Sequence, residues 1–276
     1  MGLAVHQQLW DSVAGGWEEH ADFADEREAE LTAHLLDLVA LEPGDRVLEL
    51  ACGPGGVGLA AARRIAGHGH VVLSDAAPRM VAVAESRAAA LGIHNVSFKQ
   101  LDLEQIDEPD DSYDVVLCRE GLMLVPDPDG AATEIRRVLR PGGRLALAVW
   151  GPRERNPWLG IVLDSVSEQL GVQVPPPGVP GPFSLEDAVR LESILAGAGL
   201  HDVRVTEHEV PYRAASSEEW WVRTVALAGP LATMLGSLPA SAADAVRDRA
   251  RGEIAAYETG GRLEIPGVSL VASARG

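Results

Sequence analysis

Between Asp45 and Trp150 short apolar runs alternate with stretches of helical periodicity. Val47 to Ala51, Val71 to Ser74, Val96 to Gln100, Asp114 to Cys118 and Arg144 to Trp150 are β-branched or continuously apolar and are bounded by turn residues, the pattern of strands. Gly58 to Ala66, Pro78 to Leu91 and Gly130 to Leu139 carry apolar residues at helical spacing between them. Strand, helix and strand in regular succession predict an α/β fold with a parallel sheet and helices on both faces. Near-continuous apolar strands fit a sheet covered on both sides.

The flanks read differently. Residues 1 to 40 are helical in pattern, with Leu31, Leu35, Leu36 and Val39 on one stripe, and are expected to cover the sheet edge or its top. Gly171 to Phe183 holds five prolines and reads as a linker or hinge loop. Ser184 with Asp187, Ser216 with Glu219, and Ser241 with Asp244 have the spacing of capping pairs and predict helix starts. Val203 to Tyr212 alternates like a strand, with Val268 to Ala272 as its expected partner. The boundaries expected are a helical cover over 1–40, a core over 41–150, and a lid plus the last strands of the same sheet over 151–276, one domain overall.

Charge and composition narrow the function. The chain of 276 residues has 23 basic and 41 acidic side chains, a net charge of −18, so a phosphate-neutralising nucleic-acid surface is not expected. Basic residues are almost all Arg, Lys99 being the single lysine. Two cysteines, Cys52 and Cys118, cannot form a disulfide framework or a zinc set with repeated spacing, which fits a reducing cytoplasm and no metal. The start Met-Gly-Leu-Ala-Val-His has neither a basic start nor a signal-length apolar run, so no targeting is expected. Thr224 to Ala243 carries no charge over a span-like length. Gly229-Pro230, Gly236 and Pro239 within it predict two short buried helices instead of a membrane span.

The chemistry concentrates where the first strand ends, in Val47-Leu48-Glu49-Leu50-Ala51-Cys52-Gly53-Pro54-Gly55-Gly56-Val57-Gly58. Gly53, Gly55 and Gly58 spell the dinucleotide fingerprint, and Asp75 supplies an acidic residue about twenty positions on. Spacing alone leaves NAD and an adenosyl sulfonium both open. Glu49 separates them: a fixed carboxylate four residues before Gly53 repels a pyrophosphate and attracts a sulfonium or ammonium.

With Asp75 followed by Met80, Asp102-Leu103 after the third strand, and Leu139-Arg140-Pro141-Gly142-Gly143 before the fifth, the block resembles a class I S-adenosylmethionine-dependent methyltransferase. It is similar to the broad group around the ubiquinone and menaquinone biosynthesis C-methyltransferases. The resemblance implies a Rossmann-like, doubly wound, mostly parallel seven-stranded sheet with a C-terminal antiparallel hairpin strand and a helical lid. It also implies S-adenosyl-L-methionine as cofactor. Glu49 would orient its amino end, while Ala51, Gly53, Pro54 and Gly55 form the loop beside its methionine part. Asp75 and the adjoining Ala76 would hold the ribose, with Asp75 accepting from its hydroxyls. Met80 would pack on the adenine, Asp102 and Leu103 would read its polar edge, and Arg119 would lie near the cofactor carboxylate or the acceptor. Ala51 departs from the glycine often found there.

The expected reaction is methyl transfer to a small, partly apolar acceptor by in-line displacement, with the protein aligning and desolvating the reactants. His6, His20 and Glu120 are candidates for a general base where the acceptor carries a proton. Trp10 and Trp17, and one of the adjacent Trp220 and Trp221, are expected to line an apolar acceptor pocket. No tetrad for gripping a flipped base and no three-cysteine cluster motif is present. An NAD-dependent oxidoreductase is the runner-up reading, followed by a non-catalytic S-adenosylhomocysteine-binding protein.

Overall fold

Three helices open the chain: α1 (Leu3–Glu19), α2 (Ala21–Arg27) and α3 (Ala29–Val39). The alternating block follows as β1 (Arg46–Leu50), α4 (Gly56–Arg64), β2 (His70–Asp75), α5 (Pro78–Ala90), β3 (Val96–Gln100), β4 (Tyr113–Arg119), α6 (Pro128–Val138) and β5 (Leu139–Trp150). Beyond it lie α7 (Pro157–Leu170), α8 (Ala188–Gly197), β6 (His201–Glu209), β7 (Tyr212–Ala214), α9 (Ser217–Leu227), α10 (Gly229–Ser237), α11 (Ala240–Ile254), β8 (Glu258–Thr259), β9 (Arg262–Ile265) and β10 (Val268–Arg275). The computed structural model describes residues 3–65, 67–176 and 178–276, without the side chains of residues 3–6 and Pro230. Met1, Gly2, Ala66 and Pro177 lie outside the described residues.

Seven strands form one sheet in the order β3-β2-β1-β4-β5-β10-β6. The first five are parallel, and β10 runs antiparallel to both β5 and β6. Strands β1 and β4 are its centre, and their side chains Leu48, Val115, Val116 and Leu117 are fully buried. The chain reverses its direction of winding between β1 and β4. In an open α/β sheet the crevice at that switch point, outside the carboxyl ends of the strands, is where ligands bind.

Local sequence explains the element ends. Pro78 and Pro128 begin α5 and α6 at positions where the missing N–H costs nothing. Asp127 caps α6 by accepting from the Gly130 N–H. Ser216 caps α9 as expected, accepting from the Glu219 N–H. The other two serine pairs do not act as caps. Asp187 itself caps α8, freeing the Ser184 hydroxyl to donate to the Met123 carbonyl, and α11 begins after Pro239 with no side-chain cap.

A small sheet in the order β7-β9-β8 was not expected. The strand expected to reach Tyr212 stops at Glu209, because Pro211 has no N–H for the ladder, and Tyr212 re-pairs with Ile265. The uncharged stretch from Thr224 is divided among α9, α10 and the start of α11. No helix of the described residues is long and apolar enough to cross a membrane.

Candidate active site

The carboxyl ends of β1, β2, β4 and β5 open into one cavity of ≈660 Å³, within the size range of small-molecule and cofactor sites. Its floor is the loop after β1, and its roof comes from α1, α2, the Pro-rich loop and α9–α10.

Glu49 is 2% exposed at the end of β1. Its Oε2 accepts from the Gly58 N–H (2.9 Å) near the start of α4. A Cβ on Gly58 would lie 2.3 Å from that oxygen and 2.7 Å from Leu73 Cγ, so glycine is what lets the helix close on the carboxylate. Gly58 therefore serves the packing of α4 against β1 and β2. Burial raises Glu49 to about 8, against the opposing pull of Arg119 and the Gly58 N–H.

Asp75 ends β2 and accepts from the Gly53 N–H through Oδ2 and from the Ala77 N–H through Oδ1, both at 2.9 Å. Each carboxylate oxygen retains a second lone pair for a ligand hydroxyl. Burial raises Asp75 to about 6, partly offset by those amides. Met80, 2% exposed, packs with Val13, Ala14 and Ala77 beneath Trp10 and Trp17, so α1 lies directly over this end of the cavity. Asp102 folds its own loop by accepting from the Glu104 N–H, and Leu103 is beside it in the cavity wall.

The residues read from sequence are thus mostly brought together. Glu49, Ala51, Gly53, Pro54, Asp75, Ala76, Met80, Asp102, Leu103 and Arg119 all line the cavity, as does Glu120. Gly55 does not. It takes a left-handed backbone (φ 86°) as the residue before α4, and a Cβ there would lie 2.9 Å from Leu73 Cδ2 and 3.1 Å from Ala84 Cβ. Its role is to let α4, β2 and α5 converge. His20 sits between α1 and α2 outside the cavity wall, and the His6 side chain is outside the described residues. Trp10 and Trp17 line the cavity. Of the adjacent pair, Trp220 is fully buried and donates through Nε1 to the Trp158 carbonyl, while Trp221 packs on the core, so neither faces the pocket. Cys52 is buried in the wall, and burial beside Glu49 and Asp75 keeps its thiol protonated.

Several residues around the site act through tertiary contacts that spacing in the sequence does not reveal. Arg119 was expected beside a ligand. Its Nε pairs with Glu28 at 2.9 Å and its Nη1 donates to Thr32 Oγ1 at 2.7 Å, which ties β4 to α2 and α3. Arg87 on α5 donates to the Pro54 carbonyl and to Asp25, holding the β1–α4 loop to α2. The Pro-rich segment is a cavity wall instead of a linker: Val174, Pro175, Pro176 and Pro180 face the cavity, anchored where the Gly181 N–H and Ser184 hydroxyl both reach the Met123 carbonyl.

Strand order, switch-point cavity and the carboxylates at the ends of β1 and β2 define the class of fold to which class I S-adenosylmethionine-dependent methyltransferases belong, and the comparisons with known proteins agree. Residues 41–159, less than half of the chain, match the family model described as a methyltransferase domain. Over 139 residues the chain is 37% identical to a ubiquinone/menaquinone biosynthesis C-methyltransferase of Hydrogenovibrio crunogenus, a match covering 50% of this chain and 55% of that protein. The match thus spans about half the length of that relative. Among solved structures, the YcgJ protein of Bacillus subtilis superposes with a TM-score of 0.60 at 20% identity, covering 88% of this chain and 97% of the other. A phosphoethanolamine N-methyltransferase 2 of Haemonchus contortus, solved with S-adenosyl-L-methionine, gives 0.54 at 18% identity, covering 88% and 51%. At these identities the structural likeness establishes the fold.

Proposed function

We propose that the chain transfers the methyl group of S-adenosyl-L-methionine to a small, largely apolar acceptor held in the same cavity. The observation that carries this reading is the Glu49 carboxylate, which reaches from the end of β1 to the start of α4. A dinucleotide would need the helix N-terminus for its pyrophosphate, but the Gly58 N–H is already engaged by a buried carboxylate. That carboxylate makes the position suit a cation. Asp75 stands one strand away with free lone pairs for ribose hydroxyls, and Asp102 and Met80 close the far end.

When bound, the cofactor supplies an electrophilic methyl on a sulfonium whose positive charge fades as the new bond forms. The chain's own contribution is alignment and exclusion of water by the α1 and Pro-rich roof. Glu120 is the base candidate whose side chain reaches the cavity. The free thiols of Cys52 and Cys118 suit a reducing cytoplasm.

Calorimetry with S-adenosylhomocysteine and with NAD tests the cofactor reading, and a labelled-methyl screen over apolar phenols, acids and amines tests the transfer. S-adenosylhomocysteine should bind, and Glu49→Gln should weaken it about tenfold or more. Binding of NAD with none of S-adenosylhomocysteine would overturn the proposal.

A further inference from the structure

We propose that the acceptor carries an oxyanion on an apolar body, and that Arg27 is the residue that receives it. This deepens the reading above and rests on it. The carboxylates assigned to the cofactor stand at the ends of β1, β2 and β3. Arg27 stands at the opposite end of the cavity, over Trp150 at the end of β5. From β2 to β5 is three strand spacings, about 14 Å, so the two groups of residues serve different ligands.

The guanidinium is caged by aromatic faces, with its Cζ 4.9 Å from the Trp150 ring, 4.1 Å from Trp158 and 4.7 Å from Tyr212. Such faces hold a cation by its plane and leave its edge for hydrogen bonding. Yet Nε and Nη2 are buried with no hydrogen-bond partner among the described residues. Buried arginine donors are normally paired, because an unmet donor to a charged group is costly. No hydrogen bond from those two nitrogens opposes a rotation of the guanidinium within its cage towards a ligand.

Charge at this end points the same way. Arg27 and Arg119 are the cations, and Glu28 and Glu120 the acids, with Glu28 paired to Arg119. Burial and the proximity of Glu28 raise Glu120 well above the ordinary carboxylate range. Arg119 has Glu28 and Thr32 as partners, whereas Arg27 Nε and Nη2 have none among the described residues, and one oxyanion would satisfy them. The buried Oε1 of Glu120 also has no partner among the described residues. The surrounding wall of Leu159, Leu163, Leu227 and Leu231 takes the apolar body.

The test is calorimetry on the full chain saturated with S-adenosylhomocysteine, using naphthoate, naphthol titrated through its ionisation, neutral naphthamide and naphthylmethylammonium. Naphthoate or ionised naphthol should bind at least about tenfold more tightly than the amide, and which of the two does so tells carboxylate from phenolate. Arg27→Met should remove the preference and Arg27→Lys retain part of it, with S-adenosylhomocysteine affinity unchanged in both. Equal binding of amide and anions, binding of neither anion, or an Arg27→Met variant that keeps the preference would each overturn the proposal while leaving the cofactor reading intact. Failure of the wild-type chain to bind S-adenosylhomocysteine would remove both.

Discussion

Glu49 puts function and stability in opposition. Its carboxyl rises from the unfolded value of about 4.3 to about 8 in the folded chain. Between those values the folded state binds more protons than the unfolded state, so stability falls as pH rises through the window. Glu49→Gln keeps an acceptor for Gly58 and removes the titration. Without ligand, the wild-type melting temperature should therefore drop more steeply than that of the variant from pH 5.5 to 8.5, and parallel curves would refute the assignment. The ammonium group of the ligand's amino-acid end favours the ionised form, so S-adenosylhomocysteine binding at pH 7 should release up to one proton in the wild type and fewer in Glu49→Gln, read from binding heats in buffers of different ionisation enthalpy. Ala51 is a second residue under tension. It occupies the left-handed region (φ 50°), a conformation costing a side-chain-bearing residue about 1–2 kcal/mol. Against it stands the unfolded-state entropy of glycine, about 0.5–1 kcal/mol. Ala51→Gly should stabilise by roughly 0.5–1 kcal/mol in denaturant midpoints, the net of those two effects.

At the scale of elements, the cover is joined to the core by contacts that are distant in sequence. Helix α5 has no side-chain cap of its own. Asp11 of α1 provides one across space, accepting from the Arg79 N–H at 3.0 Å while Arg79 Nη1 donates back to the Asp11 carbonyl. Asp11→Ala should cost about 1 kcal/mol, the ordinary worth of an N-cap, and should speed amide exchange in the first turn of α5. An unchanged exchange rate there would show that α1 only rests on α5. The same distance explains what could be read from sequence. Strands β1 to β5 and their helices were legible because each is a local periodic run between turn residues, and the loop after β1 because its glycines and acids are close in number. The β7-β9-β8 sheet, the Arg119 tie to Glu28 and Thr32, and the cage around Arg27 each join residues dozens of positions apart. Gly55 and Gly58 were legible as a motif but not in their parts, since only packing reveals that both admit neighbouring side chains.

For the whole molecule, one cavity is walled by segments that lie far apart in the chain: α1, the Pro-rich loop at 174–176 and 179–182, and α9–α10. Part of what holds them is each other: α1 packs on α5, α9 and α10, while the Pro-rich loop hangs from the Met123 carbonyl. A ligand that contacts all three acts as their shared core, and its binding free energy adds to the stability of each, by about 2.7 kcal/mol at a concentration one hundred times its dissociation constant. Filling the cofactor end should first protect α1, which lies over Met80 and Ala77. Hydrogen exchange should therefore slow in α1 with S-adenosylhomocysteine alone, and in the Pro-rich loop and α10 only when an apolar anion is added to it. Protection of all three segments by the cofactor product alone would mean that the roof closes as a single unit and that the acceptor does not gate it.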